Sequence, residues 1–290
     1  KNTLNIELKM SWYESLQRWQ EALNAYNLKS ADSNEDFFVN KMRCLSAMSD
    51  WDDLIKQCDI AINNVNEENS EKKKQIVDLA ANAALNLSDW DILEKYTEKM
   101  DENNENKTFL TAVINIRKNK LDTAKHFITK CREALDSKVS GLLLESYSRA
   151  YNNVIKLQQL LEMEEIIDYK IEERKLLMAT EQIKEYPVEK LNAKIEELYQ
   201  KNEVSKIPEI KELKAKLIEK WNDRLNGCQY SVDVWQKVLS IRSILLSKYE
   251  NLDSWVQFST ICLKTGQSSV CQRTLDLVKE EVKKVLPRSE

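Results

Sequence analysis

Large apolar residues recur along this chain at intervals of three and four, the spacing of one face of an α-helix. In Arg18–Lys29, Trp19, Leu23 and Tyr26 form an i, i+4, i+7 stripe, and the small Ala22 beside it permits a second helix to approach closely. Comparable faces predict helices at Ser11–Leu28, Glu35–Met48, Trp51–Asn64, Ser70–Leu87, Asp89–Met100, Lys107–Arg117 and Leu121–Leu135. A further pair is predicted over Val139–Asn153 and Val154–Glu172. The polar stretches Ala31–Asp36, Asn63–Glu71 and Asp101–Asn106 have no periodic face and read as solvent loops.

Four stretches look alike: Arg18–Leu23, Asp50–Ile55, Asp89–Glu94 and Lys120–Lys125. Each has a polar residue, then a large apolar one, then a helix. The apolar anchors stand at 19, 51, 90 and 121, giving steps of 32, 39 and 31 residues, close to the roughly 34-residue tetratricopeptide period. A later unit comprises Trp255–Lys264 and Ser268–Lys279 around Thr265-Gly266, where Gly266 suits a helix C-cap. These features predict an all-α fold, a solenoid of antiparallel helix pairs of tetratricopeptide or HEAT type with a right-handed superhelix. An irregular bundle whose Trp residues fill a core is the alternative.

Between Arg174 and Lys220 the texture changes to repeated Lys and Glu with two prolines, Pro187 and Pro208, each expected to bound a helix. Leu191, Ile195 and Leu198 make only a thin stripe on Val188–Asn202, which suits an exposed hairpin. The chain therefore divides into repeats over residues 1–175, a charged helical insertion at 176–217, and repeats resuming over 218–290, with two helices around Asn226-Gly227. The stripe of Val270, Leu275, Val278, Val282 and Leu286 suits burial against a further repeat, and a chain beginning at Lys1 is expected to be part of something longer.

Composition narrows the functional classes. With 3 Gly and 3 Pro the chain cannot supply the turns of a sheet protein. No glycine-rich nucleotide-binding loop occurs either. A net charge of −4 with interspersed signs gives no basic stripe for nucleic acid. No apolar run reaches the roughly 20 residues that span a bilayer. The six cysteines, Cys44, Cys58, Cys131, Cys228, Cys262 and Cys271, form no CxxC and lie among apolar helical positions, as buried reduced thiols of a cytoplasmic protein do.

Catalytic chemistry finds little support. The one histidine, His126, sits on a lysine-rich face. Carboxylate pairs such as Glu164-Glu165 and Glu196-Glu197 are expected by chance among 48 acids and read as solvated helix faces. Hydrolase, zinc-protease, EF-hand and kinase signatures are missing from this chain. The chain itself is read as non-catalytic, with no catalytic, cofactor-binding or metal residues. Lys237, Arg242, Lys264 and Arg273 are basic positions that stacked helices bring to one groove if in register, or ordinary solvated side chains if not.

Several strings carry a family likeness. They are Trp12-Tyr13-Glu14, Met42–Ala47 before Asp50-Trp51, Glu145-Ser146-Tyr147-Ser148-Arg149-Ala150-Tyr151, Ile166–Lys170, Arg224–Gln229 and Trp235–Ser243. In this order they resemble the FAT domain of the target-of-rapamycin family of phosphatidylinositol-3-kinase-related protein kinases, everywhere except Leu176–Leu217. The resemblance implies a C-shaped helical solenoid that clasps a kinase domain lying C-terminal to it. It implies a parent serine/threonine kinase, using ATP and Mg, that couples nutrient and growth-factor signals to growth. Its complexes would hold a beta-propeller subunit and a Raptor-type or Rictor-type partner, in the cytoplasm or on lysosomal, vacuolar or other endomembrane surfaces. The family also implies an inositol polyphosphate pocket lined by lysines and arginines. Arg242, in the WQKxLxxRS string, and Lys264 match it here. The competing class is a free-standing tetratricopeptide adaptor binding a peptide in its concave groove.

Overall fold

The computed structural model describes residues 10–16, 18–28, 35–64, 70–102, 104–179 and 207–285. Among these residues the chain consists of helices joined by turns and short irregular segments, without strands. In chain order the helices are α1 (Met10–Ser15), α2 (Trp19–Leu28), α3 (Glu35–Ala47), α4 (Trp51–Asn64), α5 (Ser70–Leu87), α6 (Trp90–Glu98) and α7 (Glu105–Arg117). There follow α8 (Leu121–Glu145), α9 (Tyr147–Ala179), α10 (Pro208–Asn226), α11 (Val232–Arg242), α12 (Leu252–Lys264) and α13 (Ser268–Val285). Among the described residues α1 packs on α2, α2 on α3, α3 on both α4 and α5, α4 on α5, α5 on α6 and α8 on α9, while α9 also meets α10 and α11. The fold is the expected all-α helical repeat. Two compact units form, one from residues 1–114 and 255–290, the other from 115–254.

One turn recurs. After α3, α5, α7 and α12 a single residue takes the left-handed conformation: Ser49 (φ 53), Ser88 (φ 60), Asn119 (φ 55) and Gly266 (φ 78). At each, that residue's N–H bonds a carbonyl three residues back and the next N–H bonds one five back. The pairs are Ser49 to Ser46 with Asp50 to Leu45, and Ser88 to Leu85 with Asp89 to Ala84. Asn119 to Ile116 with Lys120 to Asn115, and Gly266 to Leu263 with Gln267 to Cys262, complete the set. This double closure satisfies carbonyls that a helix end otherwise leaves bare. The residue after the left-handed one then starts the next helix, its own carbonyl accepting from Leu54, Leu93, Ala124 or Cys271. Asp89 adds a side-chain cap to the Ile92 N–H at 3.1 Å. The look-alike stretches at Asp50, Asp89 and Lys120 are this turn.

In the first unit, Ala22, Tyr26 and Cys44 form a buried cluster with Tyr13, Trp19 and Leu23 against it, as the stripe on α2 predicts. Ala80, Ala81, Ala83 and Ala84 of α5 are all fully covered, which allows close approach by α4 and α6. From α13, Arg273 donates to the Met48 carbonyl at 3.2 Å and pairs with Asp50, holding both sides of the α3–α4 turn.

Two expectations are revised. The breaks placed at Leu135–Val139 and at Asn153–Val154 do not exist. Helix α8 runs 25 residues and α9 33, separated only by Ser146 in extended conformation (φ −162). Neither expected break contains Gly or Pro to enforce it. The segment 176–217, read as a hairpin apart from the repeats, is packed at its described ends. Leu177 and Ile210 are buried in one cluster with Tyr169, flanked by Leu176, Leu213, Leu217 and Leu245. Pro208 does open a helix, at its first turn. The helix expected over Val188–Asn202, with its stripe, lies outside the described residues.

Gly266 has open space around a built Cβ, so only its backbone conformation demands glycine. Gly266→Ala is expected to lower stability by about 1–2 kcal/mol. Ser88→Gly, at an equivalent left-handed position, is expected to be neutral to about 1 kcal/mol stabilising. Urea unfolding of the two variants checks both signs.

Candidate functional site

The second unit is organised by α9. Its periodicity puts Glu162 one turn before Glu165 on the side that meets α10 and α11. Glu162 is fully buried, and Arg242 of α11 is 1% exposed. Between them run two parallel hydrogen bonds, Nε to Oε2 and Nη2 to Oε1, each 2.9 Å. Arg242 Nη2 also donates to the Trp221 carbonyl at 2.6 Å, and its guanidinium lies 5.4 Å from the Trp221 ring centroid. Its Nη1 is buried without a hydrogen-bond partner. Gln158 donates to Glu162 Oε1 at 3.3 Å.

Glu165 is the second node. Arg224 grips it bidentately at 3.0 and 2.8 Å, Trp221 Nε1 donates at 2.7 Å and Lys220 approaches to 2.6 Å. Burial alone would raise this carboxyl's pKa, but hydrogen bonds from Arg224, Lys220 and Trp221 outweigh it and bring the group down to about 2. A carboxylate so placed is no base near neutrality. Glu164, one residue earlier, pairs instead with Arg132 of α8 at 2.7 Å. The solvated-face reading of Glu164-Glu165 therefore fails, since the pair's oxygens are divided between α8 and α10.

Lys170 sits further along α9 and donates to the Ile116 carbonyl at 3.1 Å and to Asn119 Oδ1 at 2.9 Å. It thus caps the last turn of α7. Burial, then the Arg117 charge, lowers its pKa to about 8, with Glu173 opposing. Near the start of α9 the Tyr151 hydroxyl accepts from the Gln229 N–H at 2.9 Å, and Gln159 donates to the Lys237 carbonyl at 2.6 Å.

These contacts bring together sequence strings that are far apart. Glu145–Tyr151, Ile166–Lys170, Arg224–Gln229 and Trp235–Ser243 all meet along α9. Glu162 and Glu165 lie between the strings; Glu162 was not singled out, and Glu165 was read only as half of a solvated pair. Their signal is two acids three apart on a helix whose neighbours are Leu160, Met163 and Ile166, all fully buried. Of the two residues expected to contact an anion, Arg242 is engaged with the internal carboxylate of Glu162, which a bound anion would have to displace. Lys264 is exposed at the end of α12, in the first unit. Lys237 pairs with Asp233 at 2.6 Å. His126 is exposed beside Phe127. Cys44, Cys58, Cys131, Cys228 and Cys262 are buried and Cys271 is half-buried, all as free thiols. Burial pushes Cys58 up to about 12, so it holds its proton.

The family model of the FAT domain matches residues 77–289. The chain belongs to the FAT domain family. It is 32% identical over 295 residues to the serine/threonine-protein kinase TOR of Oryza sativa subsp. japonica, a match covering 94% of this chain and 10% of that protein. It is 32% identical over 278 residues to serine/threonine-protein kinase TOR2 of Saccharomyces cerevisiae, covering 95% of this chain and 10% of the yeast protein. The Arabidopsis thaliana TOR kinase matches at 30% over 294 residues, again 94% of this chain and 10% of the relative. The chain thus spans about a tenth of the length of these relatives. The FAT match runs across 176–217, consistent with packed flanks at that segment.

Removing one partner of the buried bridge leaves the other charge uncompensated. Glu162→Ala and Arg242→Ala are each expected to cost about 3–5 kcal/mol in the unfolding of the second unit, whereas Glu162→Met with Arg242→Met costs less than either. Denaturant melts of the three variants decide this.

Acid acts on the other node. Glu165's folded pKa lies below its unfolded value, so its contribution is present above pH 4.5 and lost as pH falls toward about 2. Discounted for the solvent reaching Lys220, the loss is about 2 kcal/mol. Glu165→Gln is expected to flatten the stability profile over that window.

Proposed function

We propose that this chain is the FAT segment of a TOR-type serine/threonine protein kinase. In this reading it is a non-catalytic helical scaffold that clasps and regulates a kinase domain C-terminal to it, in nutrient and growth signalling. The observation that carries the reading is the FAT match over residues 77–289 together with likeness to TOR kinases over 94–95% of the chain. Catalysis, with ATP and Mg, belongs to the kinase domain of the parent. Complex subunits of Raptor or Rictor type and a beta-propeller subunit meet the scaffold through the parent, in the cytoplasm or on endomembrane surfaces.

The mechanism is mechanical. Helix pairs packed on one another form an elastic body, in which strain at one pair passes to the pairs it touches. The bridges from α9 to α10 and α11 resist sliding, since moving one helix by a turn would strand Glu162 and Arg242 as buried lone charges. Force or partner binding at one end is then transmitted as a change in pressure on the kinase. An inositol polyphosphate on this segment would meet the exposed ammonium of Lys264.

Peptide mapping of the native polypeptide tests the assignment. The expected result is a chain far larger than 34.0 kDa that yields peptides of a kinase catalytic loop downstream, and a native chain ending near Glu290 overturns it. The mechanical reading is tested by Glu162→Ala in the full protein, which is expected to change kinase activity at least twofold while Lys56→Ala, at an exposed pair with Asp53, does not. Unchanged activity in a variant whose α9–α11 amides exchange faster would sink it.

A further inference from the structure

In the first unit, α4, α5 and α6 border a cleft of about 380 Å³ lined by Ile62, Lys73, Lys74, Val77, Lys99 and Asp101. Val77 is buried and Ile62 half-buried, giving an apolar wall. Three ammonium groups face one carboxylate there. The carboxylate is already engaged, with Lys74 at 2.8 Å from Asp101. Hydrogen bonding to Asp101 raises the pKa of Lys74 and keeps it charged. Neither Lys73 nor Lys99 makes a direct ion pair like that of Lys74 among the described residues, although the Lys99 charge acts on the Asp59 carboxylate. Lys99 lies 5.6 Å from the centroid of the Tyr96 ring, whose hydroxyl is fixed by Asp59 at 2.8 Å. Among the six lining residues lysines outnumber carboxylates three to one, with Glu71 4.0 Å from Lys74 and Asp59 acting on Lys99 outside them.

We propose that this cleft binds a phosphate group, a phosphomonoester or pyrophosphate, whose apolar body rests on Ile62 and Val77. A cation would meet three lysines in the lining and one carboxylate that Lys74 already engages. A single carboxylate brings one charge, whereas a phosphate brings about two and three acceptor oxygens that separate lysines can share. Lysine suits this geometry, because each ammonium is a point charge on a flexible stem that closes on a tetrahedral group from its own side. Neither the ligand nor the place depends on the scaffold reading above.

Calorimetric titration of the 290-residue chain with pyrophosphate measures binding. Lysine acetylation by an N-hydroxysuccinimide ester, with and without pyrophosphate, locates it. Lys73 and Lys99 are expected to be protected threefold or more while Lys56, outside the cleft, is not. Lys73→Gln with Lys99→Gln is expected to weaken binding at least tenfold with an unchanged melting curve, and binding is expected to weaken with added salt. No binding, equal protection of Lys56, or unchanged affinity in the double variant overturns the site. A phosphoserine peptide and a nucleoside diphosphate are then competed against pyrophosphate. Displacement by the peptide assigns the phosphate to a protein partner and displacement by the nucleotide to a small molecule. Displacement by neither overturns the claim that the apolar wall holds a ligand body.

Discussion

A helix leaves its last four carbonyls without partners, and a protein built only of helices meets that problem at every reversal. Here the same solution is used at the ends of α3, α5, α7 and α12. One left-handed residue lets two backbone N–H groups turn back onto the helix, and the next residue begins the following one. The geometry fixes the exit direction of each helix relative to its predecessor, and the apolar faces of the pairs can then meet. Only one of the four positions is glycine. Serine and asparagine accept the conformation at the other three, at a modest steric cost. A chain with 3 glycines can therefore still reverse tightly and often.

Charge does the corresponding work around α9. Helix propensity and burial set which residues face inward, but an apolar face alone tolerates sliding. The carboxylates of Glu162 and Glu165 take up Arg242 and Arg224 in forked geometry, and Trp221 contributes its ring, carbonyl and indole N–H to the same group. Each of these bonds has a partner on another helix, so the register of α9, α10 and α11 is chosen by polar complementarity rather than by area. Lys170 extends the pattern to α7 by closing over its terminal carbonyl.

The helical class and most helix positions were legible because apolar spacing and turn residues agree. The α2 stripe of Trp19, Leu23 and Tyr26, the cap at Gly266 and the start at Pro208 were each marked by a local rule. Breaks within α8 and α9 were misplaced because polar residues such as Asp136-Ser137-Lys138 resemble a loop, yet they lie on the outer face of an uninterrupted helix. The bridge was illegible for a different reason. Nothing local separates Glu162 from the many solvated acids of the chain, and its partner is 80 positions away. Arg242 was noticed through its string, but a guanidinium turned inward to a carboxylate and one turned outward to an anion look the same in sequence.

The shared residue at each tight turn has an evolutionary corollary. Asp50, Asp89, Lys120 and Gln267 each finish one helix and start the next, so inserting even a single residue there would unpick two helix ends together. A change of length is therefore expected to be tolerated less at these four turns than where a residue serves one helix alone.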